Sequence, residues 1–349
     1  MKIAITTVQV PFLYGGAEFH AQNLRRALIA AGHEAEIVTM PLMDSPPHLL
    51  TDHIVAARLM NVNHSWAGRV DLCIGLKFPA YCMPHDNKVI WLIHQHRSAY
   101  DLYGTPYSHL HLSEEGQAVR RAVYQADNHY LPEAKRLYAN SQNVAQRLLR
   151  YNGLHSTPLY HPCPGMEAFY CDEAEEYLLI SSRINDTKRQ SLILQALPHC
   201  RENVRLIFIG KPDHPIVGER LMQQVEALRL GNRVQFLGFQ TGADKYRLYA
   251  RARAVVFCPL DEDYGYITLD AMAAHKAVLT CTDSGGPLEF VQNGQTGLIV
   301  PPTPEDIARA MDMLWASPAL CKQMGEAAHA HLLEMDITWE HVVKELLKP

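Results

Sequence analysis

LLISSRINDTKRQSL (178–192) opens with an apolar run of strand length, continues into a polar loop holding two cations, and ends on the start of a helical pattern. AVVFCPLDEDYGYITLDAMAAHKAVLT (254–280) repeats that order: an apolar run, an acidic turn with a glycine, a helical pattern, then a second apolar run. Short apolar runs separated by helical patterns describe strand–helix–strand units, whose strands lie parallel beneath covering helices. The same alternation extends in both directions from these stretches, so the chain reads as α/β throughout.

Toward the C-terminus, strands are expected near 204–209 (VRLIFI), 233–236 (VQFL), 277–280 (AVLT) and 297–300 (GLIV), with helical patterns at 304–316, 318–333 and 338–348. Toward the N-terminus, strands fit 2–7 (KIAITT), 35–39 (AEIVT), 71–75 (DLCIG), 88–93 (KVIWLI) and 137–140. Helices fit 17–31, roughly 113–130 and 142–151, while PLMDSPPHLLTDH (41–53) reads as a proline-rich loop. LYHPCPGMEAFYCDEAEE (159–176) interrupts the alternation with aromatics, prolines and an acidic run, and is the expected linker. At 349 residues the chain exceeds the roughly 250–300 at which single cores split. The expected division is 1–165, 166–333 and a terminal segment, 334–349.

Composition narrows the function classes. A 48% apolar and 20% charged chain is an ordinary globular one, and no stretch approaches the roughly 18 apolar residues of a membrane span. MKIAITTVQVPF reads as a first strand rather than a signal peptide, so a cytoplasmic protein is expected. Eight cysteines form no CxxC pair, and the 19 histidines form no HExxH, so reduced thiols and no metal site are expected. The net charge of −5 conceals a mildly basic first half and an acidic remainder. A basic first half suits an anionic acceptor or peripheral attachment at the inner face of a membrane. Basic runs with interleaved aromatics are missing, which argues against nucleic acid.

Two doubly wound domains facing each other would make a cleft at the carboxyl ends of their strands, where such sheets bind ligands. The charged motifs fall at those ends. Arg183 can grip phosphate oxygens with a bidentate fork and Lys188 adds a mobile point charge; the plainer alternative is a solvated loop of surface cations, Arg189 included. Glu262 stands at the turn before a helix and Asp270 two turns further on, positions suited to sugar and ribose hydroxyls. The structural alternative is an acidic helix start favoured by the helix dipole. Gly15 and Gly16 open the first helix, where they serve either a phosphate or only a tight turn. Gly285, Gly286 and Pro287 open another. His94 ends strand KVIWLI and can reach a reacting group. The irregular, aromatic stretch 97–112 suits a binding loop, with His96, Arg97, Tyr100 and Tyr103 as acceptor contacts, unless the tyrosines fill the loop's own small core. Cations for a diphosphate together with carboxylates for hydroxyls suit a nucleotide-activated sugar.

SSRINDTK, FLGF, EDYGYITLDAMAAHKAVLT and TDSGGPLEFVQNGQTGLIV resemble the nucleotide-sugar domain of glycosyltransferase family 4, and GGAE and ANSQNVAQRL (139–148) resemble its acceptor domain more loosely. The resemblance implies a GT-B fold of two Rossmann-like domains, with the terminal helix returning to the first. It also implies retaining, metal-independent transfer of a hexose-type sugar from a nucleoside diphosphate sugar (UDP- or GDP-linked), with no cofactor. The acceptor would be a glycan or lipid-linked glycan in surface polysaccharide or glycolipid assembly; a small soluble acceptor or a non-catalytic binding subunit are the alternatives. Arg183, Lys188, Glu262 and His94 would be catalytic, and Gly15, Gly16, Gly210, Gly265, Tyr266, Ile267 and Asp270 would hold the donor. Two positions depart from the family: its second acid is Glu where this chain has Asp270, and its histidine is followed by Asp where this chain has Gln95, which leaves the register between His94 and His96 open.

Overall fold

The computed structural model describes residues 1–12 and 15–349. These separate into two compact units, Met1–Pro164 with Thr338–Pro349, and Gly165–Ile337.

The first unit is built on β1 (Lys2–Gln9), β2 (Glu34–Pro41), a small antiparallel hairpin of β3 (His64–Ser65) and β4 (Gly68–Arg69), β5 (Leu72–Gly75), β6 (Lys88–Leu92), β7 (Arg136–Ala139) and β8 (Thr157–Pro158). The main sheet runs β2-β1-β5-β6-β7-β8, and its strand pairs are parallel. β5 and β6 are buried along their whole lengths, as strands covered on both faces must be. Helices α1 (Gly16–Ala30), α2 (Leu49–Leu59), α3 (Glu114–Tyr130) and α4 (Gln142–Asn152) cover it. Helix α2 corrects the loop expected over 41–53. The prolines at 46 and 47 only delay its start, after which Leu50, Ile54 and Ala57 recur at helical spacing and are buried. The last helix (Trp339–Leu346) belongs to this unit. Its Trp339 ring packs edge-on to Trp91, and its carbonyl ends accept from Tyr138 Oη (Glu345, 2.9 Å) and Arg136 (Leu346, 3.3 Å).

The second unit contains β9 (Leu178–Ser181), β10 (Leu206–Ile209), β11 (Val234–Phe236), β12 (Ala254–Val256), β13 (Val278–Cys281) and β14 (Gly297–Val300). Their order, β11-β10-β9-β12-β13-β14, with all pairs parallel, is the 3-2-1-4-5-6 arrangement of dinucleotide-binding sheets. Helices α5 (Gln190–Ala196), α6 (Pro215–Ala227), α7 (Gly242–Arg251), α8 (Tyr266–Ala273), α9 (Pro304–Ala316) and α10 (Pro318–Glu334) pack on it. The apolar positions of β9, β10, β12 and β13 join those of α5 and α9 in one buried core. Strand order reverses between β9 and β12, so the loops leaving these two neighbours diverge there. Both units are Rossmann-like, and the fold is GT-B.

Candidate active site

The reversal between β9 and β12 brings the two charged motifs together. The loop after β9 is held by its own side chains. Asn185 accepts from the Lys188 N–H and from Thr187 Oγ1, both at 3.0 Å, and Gln190 donates to Ser182 Oγ and the Arg183 carbonyl at 2.7 and 2.8 Å. Gly210, which follows β10, lies against this loop. Its φ is 136°, and a Cβ there would sit 1.9 Å from the Ser182 carbonyl oxygen, so only glycine fits. The neighbouring strand's loop is tied in directly, because the Leu260 N–H donates to the Thr187 carbonyl at 2.7 Å.

Within this frame Lys188 Nζ donates to Glu262 Oε2, and both side chains are largely buried. An ammonium and a carboxylate 74 residues apart in sequence thus meet at the switch point. Arg183 is different: its side chain is 53% exposed and Nη1 donates to both oxygens of Asp213 at 3.1 Å. Each expected cation therefore carries a carboxylate partner.

Glu262 sits on a loop clamped to the one after β13. The Glu262 N–H donates to the Ser284 carbonyl (2.9 Å) and the Gly286 N–H donates back to the Glu262 carbonyl (2.8 Å). The turn into α8 passes through Gly265 at φ 91°, where a Cβ would come within 3.0 Å of the Pro287 ring. Tyr266 and Ile267 open α8, the turn in which backbone N–H groups point along the axis rather than to a carbonyl four residues back. Asp270 is one turn further and buried, and its Oδ2 accepts from Lys245 Nζ at 2.7 Å. It is not the exposed helical acid of the plainer reading. Lys245, on α7, is itself set against the rings of Phe169 and Tyr249 at 5.1 and 5.7 Å.

In the first unit, Gly15 is the residue before α1, and its N–H donates to Glu18 Oε2 at 2.7 Å; Gly16 begins the helix. His94 leaves β6 half-buried, with Nδ1 2.5 Å from the Gln95 carbonyl. A carbonyl only accepts, so that contact places a proton on Nδ1. His96 is buried against Phe78, and burial pushes its pKa down to about 4, so its ring is neutral at pH 7. The acceptor expectation on Tyr100 needs correcting. Tyr100 is 3% exposed and donates to Asp127 Oδ2 at 2.7 Å, so it cannot stack on a ligand. Tyr103 lies under the Arg120 guanidinium, 3.9 Å from its ring centre, and Arg97 is paired with Asp101 at 2.7 Å. Ala99, Tyr100 and Leu110 are buried in the unit's own core with Phe78, Tyr81 and Val123, and Tyr103 packs against it.

Four residues that matter here were not singled out as ligands: Asp213, Lys245, Asp283 and Arg189. Asp213 follows a strand end, a signal the sequence did contain. Lys245 lies in the middle of a helix and gave none. Arg189 is no surface cation: its side chain is 13% exposed and reaches Asp283 and two backbone carbonyls. Among the described residues, no group of three or more His, Cys, Asp or Glu side chains could hold a metal ion, and no helix is long and apolar enough to cross a membrane.

The chain is similar to known glycosyltransferases. Residues 168–331 match the family model "Glycosyl transferases group 1". The alpha-1,3/1,6-mannosyltransferase of Homo sapiens is 29% identical over 46% of the chain, which spans 42% of that protein's length. An uncharacterised glycosyltransferase of Methanocaldococcus jannaschii is 23% identical over 99% of the chain and 96% of its own. The solved structure of Anabaena HepE in complex with UDP and glucose superposes with a TM-score of 0.73 over 100% of both chains, at 18% identity.

Proposed function

We propose that this GT4-like glycosyltransferase, with a group 1 domain as its second unit, moves a hexose-type sugar from a nucleoside diphosphate donor to a glycan or lipid-linked glycan acceptor. The observation that carries the reading is the Lys188–Glu262 pair at the switch point, with Arg183 on the same loop. A cation suited to a diphosphate and a carboxylate suited to sugar hydroxyls stand side by side, as the neighbouring groups of one donor would require.

Chemically, the donor would take over both partners. Its diphosphate would draw Lys188 and Arg183 from Glu262 and Asp213, and Glu262 would then accept from sugar hydroxyls. The opening turn of α8 at Gly265, Tyr266 and Ile267 would offer N–H groups to the phosphates. Asp270, with Lys245 beside it, would face the ribose. Transfer with retention would follow front-face attack. The acceptor oxygen bonds to the anomeric carbon as the carbon–phosphate oxygen bond breaks, and the acceptor's proton passes to the leaving phosphate. Cations fixed where that charge develops supply the electrostatic stabilisation that usually dominates. The chemistry as read asks for no metal or cofactor. The mildly basic first half favours an acceptor at a membrane surface, in surface polysaccharide or glycolipid assembly, with a cytoplasmic protein attached peripherally.

Removing either charge is the test. Arg183→Ala and Glu262→Ala should each lower turnover of a labelled nucleotide sugar by about 100-fold or more, as for other lost transition-state contacts, with folding retained. Folded variants that keep wild-type rates would refute the site. A second reading, a nucleotide-sugar-binding subunit without turnover, rests on Asp270, shorter than the family's Glu and already paired with Lys245; the intact Arg183, Lys188 and Glu262 argue against it. Binding of UDP or GDP with no transfer or hydrolysis of any sugar conjugate would select it.

A further inference from the structure

Arg189 follows Lys188 in the chain and has a left-handed backbone, φ 54° and ψ 35°. For a side-chain-bearing residue this conformation is unfavourable, and glycine would take it without strain. What the arginine does there is specific. Its Nε donates to the Cys258 carbonyl at 2.8 Å and Nη2 to the Pro259 carbonyl at 2.7 Å. Nη1 and Nη2 grip the two carboxylate oxygens of Asp283 at 2.8 and 2.6 Å. Cys258 and Pro259 begin the loop that carries Glu262, and Asp283 begins the loop that Glu262 pairs with through Ser284 and Gly286. One side chain thus touches the bases of both loops, while its neighbour Lys188 touches Glu262 itself.

We infer that Arg189 is a positioning residue: it locks the loops after β9, β12 and β13 to one another, and so sets Lys188 opposite Glu262. The planar fork accounts for the choice of residue: its fixed donors reach two carbonyls and both oxygens of one carboxylate, a bidentate geometry that a lysine's compact ammonium does not reproduce. The inference rests on the proposed function for its bearing on catalysis, but the clamp is a property of the second unit alone.

Arg189→Gly is the sharp variant, because glycine keeps the left-handed backbone and removes only the clamp. Amide hydrogen exchange needs no substrate. Leu260, Glu262 and Gly286, whose N–H groups bond across the three loops, should exchange at least about 10-fold faster, with the β10 and β13 strand amides unchanged. Unaltered exchange at these amides would overturn the clamp. With UDP-glucose and GDP-mannose as probes, kcat should fall by about 100-fold, as misplacement of reacting groups by an ångström does, with KM moving less than about threefold. Arg189→Lys should fail to restore it, whereas low millimolar guanidinium added to Arg189→Gly should restore part of kcat and ammonium should not. Full activity in a folded Arg189→Gly protein would also overturn the inference. If the wild type used neither probe or any other nucleotide sugar, the functional reading would fall, and the exchange measurement would still decide the clamp.

Discussion

Asp127 lies in α3 at the centre of the first unit, fully buried, and accepts from two phenols, Tyr81 Oη on Oδ1 and Tyr100 Oη on Oδ2, both at 2.7 Å. Burial pushes its carboxyl up from 3.8 to about 7, against the two hydroxyls, which favour the charged form. In the unfolded chain the group returns to its ordinary value. Between pH 3.8 and 7, therefore, the folded protein holds a proton that the unfolded chain has released, and stability falls as pH rises through this window. Below it both states are protonated; above it both are ionised. The size is 7 − 3.8 = 3.2 pH units at 1.36 kcal/mol each, about 4 kcal/mol in all. Asp127→Asn removes the titration while keeping the shape. Urea unfolding of both proteins from pH 4 to 8, followed by tryptophan fluorescence, isolates the effect, because other groups cancel in the difference. The wild type should lose about 4 kcal/mol relative to Asp127→Asn across that range, a large part of the 5–15 kcal/mol typical of a domain. A difference that stays flat with pH would mean that Asp127 is ionised throughout and that the two phenols offset its burial.

Three further outcomes follow from particular contacts. Tyr100→Phe should cost about 1–3 kcal/mol by leaving Asp127 a partner short, yet leave the KM for any acceptor unchanged; a raised acceptor KM without destabilisation would restore Tyr100 to the binding surface. Gly210→Ala forces a Cβ onto the Ser182 carbonyl and should destabilise the second unit by roughly 2–4 kcal/mol in thermal unfolding; an unchanged midpoint would count against the close approach. Asp270→Ala should weaken nucleoside diphosphate binding, read by titration, with little change in kcat; equal affinity would remove Asp270 from the donor site.

Much of the fold was legible because its signal is local. Apolar runs such as VRLIFI and AVVF have one outcome in a sheet covered on both faces, and glycine, proline and polar clusters mark where each strand ends. Helix α2 escaped because two prolines precede it and its apolar face is only Leu50, Ile54 and Ala57. The candidate site was partly legible for the same reason. Residues just past a strand end are found from the strand, which singled out Arg183, Lys188 and Glu262. It misled on Tyr100, since an aromatic-rich loop looks alike whether its rings meet a ligand or each other.

The sequence by itself determined the α/β class, the positions of nearly all strands, and the loops on which the charged residues stand, because periodicity and turn chemistry act within a few residues. Only the tertiary structure decided which charges meet. Lys188 with Glu262, Arg183 with Asp213, Asp270 with Lys245 and Arg189 with Asp283 are joined across 25 to 94 residues. Those pairings depend on strand order, and strand order is set by how whole helices and strands bury their faces together, which no local pattern encodes.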